Sequence, residues 1–371
     1  MSNLIKVGVT HGDINGVGYE VILKALAEES VTELFTPVIF GYKDLIDKAK
    51  TLLELNDLKI NVIDSPQDIK EGKINLIQLA KEVPEHNPGK IDKKSGEAAV
   101  AALNMAIESI KNKDIDVLVT APISKEAVNS EEFNFPGHTE FLQEVSGQEG
   151  AEALMILCNE NVRVALLTVH IPISKVAGEI TESNILRKAK ILNESLKKDF
   201  GYIRPRIAVL SLNPHGGDGG VLGSEEQEII KPAIEALRED GILAFGPYPA
   251  DGFFGHGSYK NFDGILAMYH DQGLAPFKTL ASNGGVNFTA GLPFVRTSPD
   301  HGTAYDIAWT GKAEGDSMRE AMFTAIDIFR RRKSYEEAQS NPLKKYMPEK
   351  SDRGERNNPT KKQVEEIELN D

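Results

Sequence analysis

Residues 206–239, RIAVLSLNPHGGDGGVLGSEEQEIIKPAIEALRE, decide the fold class. Arg206–Leu212 is an apolar run of strand length, and Glu225–Glu239 repeats its apolar residues at helical spacing. Between them, Gly216, Gly217, Gly219, Gly220 and Gly223 leave backbone N–H groups open to an anion just before a helix that starts near Ser224. A plain flexible loop accounts for the same glycines. No Gly-Lys-Ser/Thr follows, so this is not a P-loop and nucleoside triphosphate chemistry is disfavoured. Outward from this unit the pattern recurs. Strand-length runs at Ile5–Thr10, Pro37–Gly41, Asn61–Asp64, Asp116–Ala121, Val162–His170, Phe262–Tyr269 and Val286–Ala290 alternate with amphipathic stretches at Gly96–Lys111, Glu182–Asp199 and Ser317–Arg331. Such alternation predicts an α/β fold, a mostly parallel sheet covered by helices.

The 371 residues suit two lobes around a large core, and 40% apolar with 26% charged residues is an ordinary globular composition. No repeat or Pro/Gly/Ser linker divides the chain, so two lobes would share a continuous or interwoven sheet. Residues 334–371 form a densely charged tail, helix-prone or partly disordered. A formal charge of −14 disfavours nucleic acid and anionic membrane surfaces as partners. Cys158 is the only cysteine, which excludes an intramolecular disulfide and a Cys-rich zinc site and suits a reducing compartment. No apolar run is long enough to span a bilayer, and Met1–Asp13 lacks the apolar core of a signal peptide, so the expected location is the cytoplasm.

Three histidines close predicted strands: His170 after VRVALLTV, His215 after IAVLSLNP and His270 after FDGILAMY. Ligands of open α/β sheets bind beyond the carboxyl ends of strands. Three imidazoles there would bind a divalent ion with positions left open for substrate. One such histidine is more often a hydrogen-bonded core or surface residue; three in the same topological position bring the metal reading level with that. Asp271 and Asp218 are candidates to orient His270 and His215, or ordinary turn carboxylates. For an anionic substrate, Lys278 and Arg296 offer positive charge with Asn287 between them, and a surface lysine or structural arginine is the alternative. His138 and Thr139 stand at a predicted helix start, where they could hold a phosphate or simply cap the helix. THGDINGVGYE, residues 10–20, sits where a dinucleotide fingerprint would, but Gly12, Gly16 and Gly18 have the wrong spacing for a true Rossmann motif.

Taken in order, THGDINGVGYE, TAPISKEA, GHTEFL, TVHIPI, LNPHGGDGG, YHDQGLAPFK and VNFTAGLPFVRTSPDHGTA closely resemble the 4-hydroxythreonine-4-phosphate dehydrogenase (PdxA) family of pyridoxal phosphate biosynthesis, over about Val7 to Arg331. The resemblance implies two α/β/α lobes like those of isocitrate and isopropylmalate dehydrogenases, not a true Rossmann domain. In that frame residues 1–127 plus 300–333 form the first lobe and 128–299 the second. It implies a homodimer with active sites shared between subunits, metal ligands at His170, His215 and His270, and substrate contacts at His138, Thr139, Lys278, Asn287 and Arg296. The implied reaction is NAD- or NADP-dependent oxidation of 4-phosphohydroxy-L-threonine, aided by a divalent metal (Zn, Mg or Co). The product is a β-keto acid that decarboxylates to 3-amino-2-oxopropyl phosphate. Related four-carbon acid phosphates, 4-phospho-D-threonate or D-erythronate 4-phosphate, are the alternative substrates; a metal-dependent phosphometabolite hydrolase or binding protein is a more distant reading. Ile14, Tyr19, Ser124 and Asp218 stand where the family commonly has Pro, Pro, Asn and Glu.

Overall fold

The computed structural model describes residues 4–28, 30–128, 138–146, 152–281 and 284–341. Among the described residues twelve strands form one sheet: β1 Lys6–Thr10, β2 Thr36–Gly41, β3 Ile60–Ile63, β4 Ile74–Gln78, β5 Val117–Thr120, β6 Leu154–Cys158, β7 Arg163–Leu166, β8 Arg206–Leu210, β9 Leu243–Tyr248, β10 Gly264–Ala267, β11 Val286–Ala290 and β12 Val295–Pro299. Their order is β3-β4-β2-β1-β5-β12-β11-β6-β7-β10-β8-β9. Both flanks are parallel, whereas β11 is antiparallel to β12 and β6, and β6 to β7. The sheet is therefore continuous, as the missing linker led one to expect. The insertion of β4 between β3 and β2 departs from the Rossmann order.

Strand side chains alternate between two buried faces, so both faces need helical cover. Val117 and Val119 pack into a cluster with Val21 and Ile22 of helix Gly18–Ala25 and Met318 and Met322 of helix Asp316–Ser340. Leu118, between them, packs on the other face with Leu103 and Ile107 of helix Lys93–Lys111. In the second flank Ile207 and Val209 meet Ala189 and Leu192 of helix Glu182–Lys198, while Ala208 and Leu210 face Phe277 of helix His270–Leu280. The result is three layers, α/β/α.

Helix Lys93–Lys111 begins before the expected Gly96, because the Asp92 carboxylate accepts the Lys94 N–H at 2.8 Å as its cap. Thr181 caps helix Glu182–Lys198, its hydroxyl accepting from Asn184 N at 3.2 Å. The expected helix Glu225–Glu239 divides into a π-turn, Glu226–Ile230, and an α-helix, Lys231–Glu239. The last helix runs on to Ser340, past the expected start of the tail; the chain forms a unit Met1–Tyr335 and a second, Glu336–Asp371. Residues 342–371 lie outside the described part. Among the described residues no helix is long and apolar enough to cross a membrane.

Candidate functional site

β7, β10 and β8 are parallel neighbours, so their carboxyl ends open on one edge and carry the three histidine loops there. The loops are tied together. Gln272 Nε2 donates to Ser211 O and its Oε1 accepts from Met268 N, both at 2.7 Å, and Thr168 Oγ1 donates to Met268 O at 2.8 Å. The His170 and His270 rings come within 6.1 Å, centroid to centroid, in a cleft of about 390 Å³ that Thr168, Ile173, Tyr269 and Asp271 also line. His270 Nδ1 lies 2.6 Å from Asp271 Oδ1, a contact in which the ring N–H donates and which fixes the imidazole against its neighbour. His215 is exposed on its own loop and lines neither this cleft nor the one described next. Among the described residues no three His, Cys, Asp or Glu side chains of one chain converge on a metal position.

The glycine loop is built, not slack. Five successive residues, His215 to Gly219, have left-handed backbone, with φ of 53°, 66°, 78°, 44° and 67°. Glycine adopts this freely; at His215 and Asp218 it costs roughly 1 kcal/mol each and needs support. The π-turn supplies that support by turning Glu226 inward, where it is fully buried. Glu226 Oε1 accepts the N–H groups of Leu212 and Asn213, each at 2.8 Å, and Oε2 accepts Asn213 Nδ2 at 3.0 Å. A Cβ on Gly217 would stand 2.6 Å from Glu226 Oε2, so glycine is needed there for space as well. Asp218 is exposed and turned to solvent.

A second cleft, about 200 Å³, opens on the faces of β5, β12 and β11. The strand pattern prepares it. In β11 Asn287 and Thr289 alternate with Val286, Phe288 and Ala290, and in β12 Arg296 and Ser298 fall opposite them, as the Asn287↔Ser298 pairing shows. Arg296 is 2% exposed. Its Nε and Nη2 donate to Thr120 Oγ1 at 3.2 and 2.6 Å, and its Nη1 to Thr289 Oγ1 at 3.0 Å. Asn287 Oδ1, in the same cleft, is buried with no hydrogen-bond partner. Thr139, on helix His138–Val145, and His170 complete the expected residues that line this cleft. The side chain of His138 lies outside the described residues. Lys278, exposed in the last turn of helix His270–Leu280, does not line it. Lys125, Asp300 and His301 do, although none was singled out by sequence; all three belong to the quoted motifs TAPISKEA and SPDHGTA.

His301 also lines a third cleft of about 410 Å³, with Val17, Gly284, Ala304, Glu314, Asp316 and Ser317. His301 Nε2 is buried and without a partner. The N-terminal motif borders this cleft but is closed upon itself. A Cβ on Gly18 would stand 1.9 Å from His11 O, and one on Gly12 2.2 Å from Pro122 O. The glycines thus serve close packing rather than a phosphate nest. Asp13 accepts from Tyr305 Oη at 2.7 Å, Ser95 Oγ at 3.1 Å and Asn15 N at 2.9 Å; burial nevertheless raises its carboxyl above the usual range. Burial lowers His11 to about 4 and pushes the Cys158 thiol up to about 12, so neither carries charge near neutral pH.

A buried guanidinium and an amide oxygen without a partner lie on the face of the central sheet of this α/β protein, in a cleft that His170 also lines. The family model of the pyridoxal phosphate biosynthetic protein PdxA matches residues 33–325. The 4-hydroxythreonine-4-phosphate dehydrogenase of Bacteroides thetaiotaomicron is 51% identical over 94% of this chain and 96% of its own. The D-threonate 4-phosphate dehydrogenase of Pectobacterium atrosepticum is 35% identical over 87% of this chain and 98% of its own. Among solved structures, the 4-hydroxythreonine-4-phosphate dehydrogenase of Klebsiella pneumoniae superposes with a TM-score of 0.75 at 36% identity, covering 89% of this chain and 98% of its own. The chain belongs to the PdxA family.

Proposed function

We propose that the chain is an NAD(P)-dependent dehydrogenase that oxidises the secondary hydroxyl of 4-phosphohydroxy-L-threonine, the resulting β-keto acid losing CO2 to give 3-amino-2-oxopropyl phosphate. The observation that carries this reading is the cleft in which buried Arg296, Asn287 with its unmet Oδ1, Thr139 and Lys125 stand together. Arg296 binds an anionic group of the substrate bidentately, and Lys125, exposed at the cleft, adds a second positive charge against the chain's net −14. Asp300 in the same cleft is placed to pair with the substrate ammonium, a group that the hydroxy-acid phosphates lack. Lys278 stays a candidate for the outer rim, one helical turn beyond Leu274, which lines the cleft.

His170 and His270, 6.1 Å apart at their centroids, would serve as two imidazole ligands of one divalent ion. A bound divalent metal would supply Lewis acidity toward the oxygen that changes from hydroxyl to carbonyl. His215 is read as the third ligand, completed in a homodimer that shares the site between subunits. Exposed Ile171, Ile173, Val221 and Leu222, beside His170 and on the His215 loop, support a second copy covering this edge. A nicotinamide cofactor would accept hydride, and the cleft that meets the substrate cleft at His301 is where this chain has room for it. Residues of both expected lobes, 1–127 plus 300–333 and 128–299, line the substrate cleft, so the reading puts the substrate where the two lobes meet. A single, buried cysteine supports a cytoplasmic location.

The test is formation of reduced nicotinamide and CO2 from 4-phosphohydroxy-L-threonine by dialysed protein, with and without added divalent metal. Metal-dependent formation of both is expected; full activity of metal-free protein would defeat the metal assignment, and phosphate release without reduced nicotinamide the dehydrogenase itself.

A further inference from the structure

From the way the Arg296 guanidinium is held, we infer that Thr120 and Thr289 are positioning residues of the substrate-anion site, setting the plane of the arginine fork through their side-chain hydroxyls. This rests on the reading of Arg296 as a substrate ligand. The three residues come from three neighbouring strands, β5, β11 and β12, and all are essentially fully buried. The register places them on one face. Arg296 pairs with Leu118 in the parallel β12–β5 ladder, and side chains of the same face recur every second residue, so Thr120 shares that face. In the antiparallel β11–β12 ladder, Phe288↔Thr297 leaves Thr289 opposite Arg296.

The bonds define the plane. Nε and Nη2 lie on the same edge of the guanidinium and both donate to Thr120 Oγ1, at 3.2 and 2.6 Å, while Nη1 donates to Thr289 Oγ1 at 3.0 Å. Two acceptors on different edges hold a planar group in one orientation; a single acceptor would leave it free to swing. Being neutral, these hydroxyls contribute orientation and no charge of their own. With both Thr120 lone pairs engaged by the guanidinium, the hydroxyl proton is left to donate elsewhere, and Thr120 lines the cleft. Sequence alone hides this arrangement, because Thr120 and Arg296 are 176 residues apart.

The experiment compares Thr120→Val, Thr289→Val, the double variant, Thr120→Ser and Arg296→Lys in full-length protein loaded with metal and nicotinamide cofactor. It reads KM and kcat for 4-phosphohydroxy-L-threonine, KM for the cofactor, and thermal midpoint. Loss of a hydrogen bond to a charged group predicts a rise in substrate KM of about tenfold for Thr120→Val and a smaller rise for Thr289→Val. kcat should move by less than about threefold and cofactor KM not at all, and Thr120→Ser should bring KM back toward wild type. A structural role alone would lower the midpoint and the active fraction, seen as kcat, while leaving KM in place. Wild-type KM in the double variant, together with a raised KM in Arg296→Lys, would overturn the inference, as would failure of serine to restore KM. Wild-type KM in Arg296→Lys would instead overturn the substrate reading of Arg296. Should Thr120→Val fail to fold, Thr289→Val and Thr120→Ser carry the same comparison.

Discussion

His11 should make the protein acid-sensitive well above the usual carboxylate range. The ring is fully buried, stacked 5.2 Å from Tyr19, and its Nδ1–H donates to Gly12 O at 2.7 Å, while Nε2 has no partner. Burial penalises the imidazolium and brings the folded-state value down to about 4, from 6.5 for free imidazole. Between those values the unfolded chain binds a proton that the folded chain does not, so stability falls as pH drops from 6.5 and stops falling below 4. At ~1.4 kcal/mol per pH unit the full loss is about 3 kcal/mol, of which about 2 kcal/mol is already lost between pH 7 and 5. This is a large share of the roughly 5–15 kcal/mol that holds a typical domain. His11→Phe keeps an aromatic ring against Tyr19 and removes the titration. Asp13, raised by burial, acts in the opposite direction, and His86, lowered mainly by burial, in the same one; both persist in the variant and cancel in the comparison. Urea unfolding of both proteins at pH 7 and pH 5 measures the difference. The wild type should lose about 2 kcal/mol more than His11→Phe over that interval. Parallel losses in the two proteins would refute the buried-neutral account of His11.

Glu226→Ala removes the acceptor for two backbone N–H groups at the base of the left-handed loop, so it should cost about 2–4 kcal/mol in urea unfolding, and Glu226→Gln, which keeps one oxygen acceptor, should cost less. Stability within about 0.5 kcal/mol of wild type in Glu226→Ala would show that the loop holds itself. His215→Ala should retain the wild-type far-UV spectrum and thermal midpoint, because the ring is exposed, yet lose bound divalent metal and turnover; wild-type metal content measured by elemental analysis would remove His215 from the ligand set. Glu314 and Asp316 line the cleft assigned to the cofactor, and their carboxylates would repel a 2′-phosphate, so kcat/KM should be higher with NAD than with NADP and the gap should narrow in a Glu314→Gln/Asp316→Asn variant. A preference for NADP in the wild type would place the cofactor phosphate elsewhere.

The α/β class was legible because apolar runs of period two alternate with helical stretches, and most predicted strands fall within a residue or two of their observed limits, as Ile5–Thr10 does against Lys6–Thr10. β12, VRTSP, does not read as a strand: its alternate residues are Arg296 and Ser298, polar because they line a cleft rather than a core. β9, LAFGPY, is obscured by its own Gly and Pro. For the site, strand endings identified the histidine loops, and adjacency of β7, β10 and β8 brings those loops to one edge. Which rings approach one another was beyond the sequence, since that depends on loop paths such as the left-handed run at His215–Gly219. Arg296 stood out as a candidate anion ligand from its small neighbours, but its burial and its threonine partners, which come from other strands, could not be read. Lys125 and His301 went unremarked because a lysine at a helix start and a histidine in a turn look ordinary until the sheet folds them into one cleft.

Whether this cleft takes the amino-acid phosphate is decided by kcat/KM for reduced-nicotinamide formation with 4-phosphohydroxy-L-threonine beside 4-phospho-D-threonate and D-erythronate 4-phosphate. With Asp300 in the cleft to meet the substrate ammonium, roughly tenfold or greater preference for 4-phosphohydroxy-L-threonine is expected. Equal or better turnover of either hydroxy-acid phosphate would contradict it.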